Sequence, residues 1–313
     1  MTGARSGWAC ARSRWARPRS RWARFWFAPE PPATLALVRL AAGSVTLIWA
    51  LAFLSDLAIF AGPRGLVPGS PAAGLAEACL IAAAASLTVG YRSRRSAGVA
   101  FGCLAWFHHI DPWALNAGDA LLRDILFLLA LSPAGAAWSV DAARGERRIG
   151  ATRSPLVPRW GTRLIQVQVS VMYLAAVAQK LVGAPWRDGT AVSYPLRIPA
   201  MIRWQLPHSL TGSPVVVHVA TWGVLVTELA IGVLVWNRRA RPWVLAAGVA
   251  LHLAIELTLR AGFFSWIVLV SYLAFIPPEH AERLFRTGET VSRRLLLSCR
   301  APLARSPRSP RMR

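Results

Sequence analysis

The chain has 313 residues, a net charge of +22 and a composition that is 55% hydrophobic. A nucleic-acid-binding protein this basic would carry its arginines on a soluble domain. Here the arginines lie between apolar runs of membrane-spanning length, so the charge indicates membrane topology and no nucleic acid is expected as a partner. The sequence predicts a multi-pass protein of the cell membrane, surrounded by the lipid bilayer.

The N-terminal region is strongly basic. Its first 28 residues contain seven arginines and no acidic residue, and tryptophan recurs every seven residues at Trp8, Trp15 and Trp22. No apolar core of a signal peptide precedes a cleavage site there. We therefore expect residues 1–30 to form a basic, weakly ordered tail.

Apolar segments of helical length follow the tail, and most reach the 17–25 residues that a spanning helix needs. They cover residues 34–58, 70–90, 96–110, 118–136, 162–182, 213–236, 241–260 and 262–277. Arginines are concentrated in alternate connections, which places those connections on the cytoplasmic side. The predicted fold is an all-α bundle of about eight transmembrane helices, with both termini cytoplasmic. The membrane domain spans residues 31–280, and residues 281–313 form a basic C-terminal tail.

The longest external connection, residues 183–212, mixes apolar residues, four prolines and three arginines. This composition is typical of a segment lying at the outer membrane interface.

Lys180 is the only lysine in the chain, against 35 arginines, and it lies near the outer end of the fifth apolar segment. An ionisable residue inside a membrane segment is a candidate functional residue. Arginine stays protonated, whereas a buried lysine can become neutral and serve as a base. A carboxylate beside Lys180 would instead keep it charged, and Asp119, Asp124 and Glu256 are the candidates for that role.

Other polar residues predict contacts in the outer half of the membrane. Asp119 and Arg123 are four residues apart on one helix face, and we expect them to form an ion pair. His252, Glu256 and Arg260 also follow at intervals of four, which predicts one polar stripe that is either a structural network or the lining of a site. Glu228, by its position along the sixth segment, is expected to lie deeper, toward the cytoplasm. No cluster has metal-ligand spacing and no glycine-rich phosphate loop is present, so neither a metal nor a nucleotide site is predicted.

Three stretches resemble the horizontally transferred transmembrane domain (HTTM) family, which includes the vitamin K-dependent gamma-carboxylases. They read YLAAVAQKLVGAPWRDGTAV around Lys180, LNAGDALLRDILFLLALSPAGAAWSVDA over residues 115–142, and LHLAIELTLRAGFFSWIVLVSYLAFIPP over residues 251–278. The resemblance covers roughly residues 34–280. It implies a membrane protein similar to the core of those enzymes.

The resemblance also implies a chemistry. In the carboxylases, a lysine matching Lys180 is understood to deprotonate vitamin K hydroquinone; oxygen then gives a strongly basic alkoxide, which removes a proton from a substrate glutamate before carbon dioxide adds. Asn116 and His252 match an asparagine and a histidine of those enzymes. The implied cofactor is a reduced quinone of the vitamin K or menaquinone type. We expect Lys180 to be the base, with Asn116, His252 and Glu256 lining its site.

Two departures limit this transfer. Ala117 stands where the carboxylases have a histidine thought to support the lysine, and the large external domain that holds protein substrates in the animal enzymes has no counterpart here. A lyase activity of the carboxylase or quinol-epoxidase kind, with a peptide or protein substrate on the outer side, is therefore one interpretation. The alternative is a non-catalytic membrane partner, immunity or assembly protein in which Lys180 pairs with a carboxylate. A transporter is less favoured, because no inverted repeat is visible.

Overall fold

The computed structural model describes residues 20–62, 64–68, 70–111, 116–149, 156–204 and 206–284. Helices dominate these residues, as predicted. The helices are α1 (Arg21–Phe27), α2 (Ala33–Ala61), α3 (Pro71–Val89), α4 (Ser93–Ile110), α5 (Ala117–Leu131), α6 (Val140–Ile149), α7 (Trp160–Val182), α8 (Ala184–Arg187), α9 (His208–Thr211), α10 (Pro214–Leu234), α11 (Arg241–Thr258) and α12 (Phe264–Tyr272). Each of the eight predicted apolar segments coincides with one of them, whereas α6 lies in a basic connection where no helix was predicted.

Four of the helices are long and apolar enough to cross a membrane. They are α2, α3, α7 and α10. The remaining helices in the described part of the chain are shorter or less apolar, so the prediction of about eight crossings, and that of two cytoplasmic termini, stay predictions. What the structure establishes is a mostly helical protein with membrane-spanning candidates in both halves of the chain.

The helix boundaries follow from local chemistry. Ser70 and Ser213 precede α3 and α10, and each hydroxyl accepts a hydrogen bond from a backbone N–H of the first turn. A proline occupies the first helical position in both cases, where its missing N–H costs nothing. At its other end α3 stops at Gly90, whose φ of 74° lies in the left-handed region.

Helices α2 to α5 pack consecutively against one another, and α10 packs against both α7 and α11. Helix α12 lies between these two groups, because it contacts α2 and α5 on one side and α7 and α11 on the other. It continues as a 3₁₀ turn, Leu273–Phe275, which also packs against α2 and α7. The main apolar core runs through this junction.

The described part of the predicted N-terminal tail, from residue 20 onward, contains α1 and strand β1 (Pro29–Glu30), which pairs antiparallel with β2 (Val157–Pro158). The Glu30 carboxylate accepts hydrogen bonds from Arg159 Nε at 3.0 Å and from Thr162 Oγ1 at 2.8 Å. Burial raises the pKa of Glu30, while Thr162 and Arg159 oppose that rise. This contact ties the start of the chain to α7. Residues 1–19, and the C-terminal tail beyond residue 284, lie outside the described residues.

Candidate functional site

Lys180 lies in the last turn of α7 and forms an ion pair with Glu228 of α10. Its Nζ is 2.6 Å from each of the two Glu228 carboxylate oxygens. It also lies 5.3 Å from the centroid of the Trp186 ring, which is within the range of a cation–π interaction. Glu228 is buried, at 8% exposure, whereas Lys180 is half-buried.

The antiparallel packing of α7 and α10 explains this contact. The Ser170 hydroxyl accepts a hydrogen bond from Trp236 Nε1 at 2.9 Å, and Leu174 packs against Gly232. If 170 faces 236 and 174 faces 232, then Lys180 stands level with about residue 226. Long helical side chains lean toward the N-terminus of their own helix. Because the helices run in opposite directions, Lys180 and Glu228 lean toward each other.

The partner of Lys180 is thus a residue that the sequence analysis placed elsewhere. The expectation that Glu228 lies deeper was wrong, and the partner of Lys180 is none of the three candidates Asp119, Asp124 and Glu256. Counting depth from the outer end of each segment treats the C-terminal end of α7 and the N-terminal end of α10 as level with each other. In the structure, about ten residues of α10 extend past the end of α7. The signal available in the sequence was that Glu228 is the only acidic residue of α10.

Beside the ion pair lies a large apolar cavity of about 1110 Å³ between α10 and α11. Lys180 and Glu228 are the charged residues among the described side chains that line it. The other lining residues are aliphatic, aromatic or small, with occasional threonines. A mostly apolar cavity with one convergent polar group is the usual form of a site for a small lipophilic molecule.

The connection between α7 and α10 covers one end of this cavity. It folds into α8, three 3₁₀ turns and α9, and Val192 N donates to Thr221 Oγ1 on α10 at 3.2 Å. Its later part pairs with the end of α11, where Arg203 N donates to the Thr258 carbonyl at 2.9 Å. Tyr194, Pro195 and Leu196 of this connection line the cavity. The segment predicted to lie at the interface is therefore a wall of the candidate site.

His252 is buried behind the cavity. Its Nε2 lies 2.8 Å from the Tyr173 hydroxyl, which also contacts the hydroxyl of Tyr272. The His252 ring packs against Phe264, with 5.4 Å between ring centroids, and Phe264 lines the cavity. His252 is 3% exposed and is not itself among the lining residues. Its direct partners are the tyrosines, so it supports the cavity wall from behind.

Glu256 belongs to a different contact. Its Oε1 accepts a hydrogen bond from Arg203 Nη2 at 2.7 Å, which ties α11 to the covering connection. Arg260 lies beyond the end of α11, and its backbone N–H donates a hydrogen bond to the Met201 carbonyl at 2.8 Å. The predicted polar stripe of His252, Glu256 and Arg260 is therefore divided among separate partners. The helix ends before the third member, which is why the stripe is not continuous.

Asn116 is the N-terminal cap of α5. Its side-chain oxygen accepts hydrogen bonds from Gly118 N at 2.7 Å and Asp119 N at 3.0 Å. The Asp119 carboxylate in turn accepts a hydrogen bond from Asn116 N at 3.3 Å. Asp119 also accepts a hydrogen bond from Trp49 Nε1 at 3.2 Å. Asp119 thus forms hydrogen bonds with the start of α5 and with Trp49. The predicted ion pair between Asp119 and Arg123 is therefore wrong. Arg123 lies 4.0 Å from Asp124 instead.

Of the four predicted site residues, only Lys180 faces the cavity. His252 lies one layer behind it, Glu256 stabilises its cover, and Asn116 caps a neighbouring helix. These features define a class: a helical membrane protein with an apolar cavity that contains an ion pair between a half-buried lysine and a buried glutamate.

Comparison with known families supports the membrane part of this description. The HTTM domain family matches residues 73–280, so the chain belongs to the HTTM family, a membrane-associated domain of the vitamin K-dependent carboxylase family. No solved structure matches the chain.

Proposed function

We propose that this protein binds a reduced quinone, or a similar lipophilic molecule with a weakly acidic hydroxyl, in the cavity between α10 and α11, and that Lys180 accepts the proton of that hydroxyl. The observation that carries the proposal is the Lys180–Glu228 pair at the end of an otherwise apolar cavity. Family membership supports a carboxylase-like or quinol-epoxidase-like activity as the form this chemistry takes.

The residues of the cavity fit such a ligand. Apolar walls formed by α10, α11 and the covering connection suit a hydrocarbon ring and tail, and Lys180 with Glu228 offers hydrogen-bonding partners for one hydroxyl. Trp186 presents an aromatic surface beside Lys180. When bound, a reduced quinone supplies the acidic hydroxyl and the electrons for a reaction with oxygen.

Glu228 provides the place to which Lys180 passes its own proton. Both carboxylate oxygens lie 2.6 Å from Nζ, so one short transfer converts ammonium and carboxylate into amine and carboxylic acid. An apolar environment disfavours separated charges and so favours this neutral form. The free amine then accepts the ligand's proton, which leaves an ammonium group beside the ligand anion and a protonated Glu228. Arginine does not release its proton in this way.

The second candidate function is that of a non-catalytic membrane partner, immunity or assembly protein. One specific observation favours it: Glu228 contacts Lys180 through both oxygens, as a purely structural ion pair inside a membrane would. The two functions differ in what Lys180→Arg does, because arginine preserves an ion pair but not a base.

The deciding experiment uses the purified full chain in lipid nanodiscs with reduced menaquinone or vitamin K, oxygen and labelled bicarbonate. Quinone epoxide, and label fixed into a glutamate-containing peptide, are measured for the wild type, Lys180→Ala, Lys180→Arg and Glu228→Gln. We expect epoxide from the wild type and at least a ~100-fold loss in both lysine variants, the scale of general base catalysis. Fixed label would extend the activity to carboxylation.

Asp124→Asn is the matched control, because Asp124 is a carboxylate of the same helix bundle that contacts Gln168 and Arg123 rather than the cavity. It should retain epoxide formation. A wild type that binds the quinol but forms no epoxide would sink the catalytic proposal and favour the partner protein. Full activity in Lys180→Arg would show that Lys180 is not the base.

A further inference from the structure

The two charged residues of the cavity lie toward one end of its lining. Its lining on α10 runs from Val216 to Glu228, which corresponds to about 18 Å along the helix axis. Lys180 and Glu228 lie near the end that is farther along α10, where Ala247 and Leu251 of α11 also line the cavity. The opposite end is covered by the connection that precedes α10. A ligand with its polar group at the ion pair therefore has to direct its apolar remainder along the cavity or out through its side.

The side wall is thin at one position on α10. Successive residues of a helix turn by about 100°, so Gly223 lies between the cavity-lining face and the exposed row of Val219, Trp222 and Val226. Those three side chains are 68%, 44% and 65% exposed. Gly223 lines the cavity and is itself exposed, and a Cβ added to it would meet no atom within 4 Å.

Ala254 takes the same place on α11. It lines the cavity and is exposed, and it lies between the cavity residue Leu251 and the outward-facing Leu253 and Leu257. Each of the two adjacent helices thus presents a residue with little or no side chain where the cavity face meets the outer face. The outer faces of α10 and α11 are apolar, as a surface in contact with lipid must be.

We propose that the gap framed by Gly223 and Ala254 is a lateral portal through which the isoprenoid or acyl tail of a membrane-borne ligand passes between bilayer and cavity. This inference rests on the proposed function and adds the class of ligand: a single-chain amphiphile whose head lies at Lys180 and Glu228. Lipid chains are as apolar as the cavity wall, so a long tail remains partly in the bilayer at no cost. A ring without a tail does not need the portal.

The test fills the gap. The double variant Gly223→Leu/Ala254→Leu is compared with Gly102→Leu/Ala246→Leu, which makes the same changes at exposed helical positions that do not line the cavity. Equilibrium binding is measured anaerobically in nanodiscs for a menaquinol with a prenyl tail and for menadiol, the same ring without a tail. In the portal variant we expect the affinity for the tailed quinol to fall at least ~10-fold more than the affinity for menadiol. The control variant should match the wild type for both.

Three outcomes would overturn the portal. Unchanged affinity for the tailed quinol would show that the tail does not pass between Gly223 and Ala254, and would leave the proposed function standing. An equal loss of affinity for both ligands would show that the new side chains fill the cavity itself rather than a gap in its wall. A wild type that binds neither quinol would remove the proposed function together with the portal.

Discussion

The most deeply buried charge in the described part of the chain is that of Arg39, which is 0% exposed on α2. Its Nη1 donates to the carbonyls of Leu87 at 2.7 Å and Thr88 at 3.0 Å, and its Nη2 donates to the Trp138 carbonyl at 2.6 Å. The last carbonyls of a helix have no intrahelical partner. Arg39 supplies that partner to α3 and at the same time fixes the segment that precedes α6.

Gly90 makes this arrangement possible, and Gly90→Ala is expected to lower the free energy of unfolding by about 1–3 kcal/mol. The φ of Gly90 is 74°, and a Cβ there would come within 2.5 Å of Arg39 Nη1 and overlap Ser139. Backbone strain at residue 90 and displacement of Arg39 both lower the free energy of unfolding. Thermal unfolding of the purified protein in detergent measures the effect.

Gly74→Ala is the matched control, because Gly74 lies on α3 and an added Cβ would meet nothing within 4 Å. Alanine is the better helix former by roughly 0.5–1 kcal/mol, so this variant should be as stable as the wild type or slightly more stable. Equal melting temperatures for the two variants would contradict the role given to Gly90.

At the scale of elements, the sequence predicted the helices much better than their relative positions. The eight apolar segments match eight helices because hydrophobic runs of that length record burial in lipid or protein directly. The partner of Lys180 was missed because it depends on how far α10 extends past α7, and that stagger is set by how the connection between them folds onto α10. No periodicity within one helix encodes it. Asn116 illustrates the same limit, since its type is as typical of a helix cap as of a ligand-binding residue.

The start of α4 depends on another element, and this contact gives a pH prediction. Asp141 of α6 accepts hydrogen bonds at 2.8 Å from Arg92 N, Ser93 N and Ser93 Oγ. Burial alone would raise the pKa of Asp141, but these hydrogen bonds outweigh it and lower the pKa below its ordinary value. The carboxylate therefore stabilises the fold above the unfolded-state pKa of about 4, and this stabilisation is lost as the pH falls through the lower folded-state pKa.

Asp141→Asn should consequently unfold more easily than the wild type at pH 7, by about 1 kcal/mol, which is the usual contribution of a helix cap. The difference should shrink as the pH falls from about 4 through the lower folded-state pKa, because the wild-type carboxyl then gains a proton and resembles the amide. Thermal unfolding at pH 7 and at pH 3 compares the two proteins, with Asp188→Asn at an exposed position as the control. A difference that is the same at both pH values would contradict this account.

At the scale of the whole molecule, the candidate site lies in the second half of the bundle, among α7, α10 and α11. The first half, α2 to α5, contacts it through α12 and also directly, because α2 and α5 pack against α7. Three of the four predicted site residues lie off the cavity. Asn116 belongs to the first half of the bundle. His252 contacts Tyr173, whose hydroxyl also contacts Tyr272 of α12, and Glu256 contacts Arg203 of the covering connection. Two of the helices that frame the site are among the spanning candidates, but α11 is not. Whether α11 crosses the bilayer decides whether Gly223 and Ala254 face lipid.

The sequence predicts that α4 and α11 both cross, as members of the set of about eight helices. Single cysteines on either side of each helix test this in a variant whose own four cysteines are replaced. For α11 the positions are Arg239→Cys and Arg260→Cys, both exposed, and for α4 they are Arg95→Cys and Asp111→Cys. We expect a membrane-impermeant maleimide to label Arg260→Cys and Asp111→Cys in intact cells, and to label the other two only after permeabilisation, because arginine-rich connections stay cytoplasmic.

Labelling of both flanking positions from one side would show that the helix between them does not cross. For α11 that result would reduce the number of crossings and also place the portal away from the lipid chains, since Ala254 would then lie on a helix outside the bilayer. If the two positions that flank each helix are labelled from opposite sides of the membrane, α4 and α11 are crossings in addition to the four helices that length and composition already support. The cavity would then be enclosed by transmembrane helices on three sides, which is the setting that a ligand dissolved in the bilayer requires.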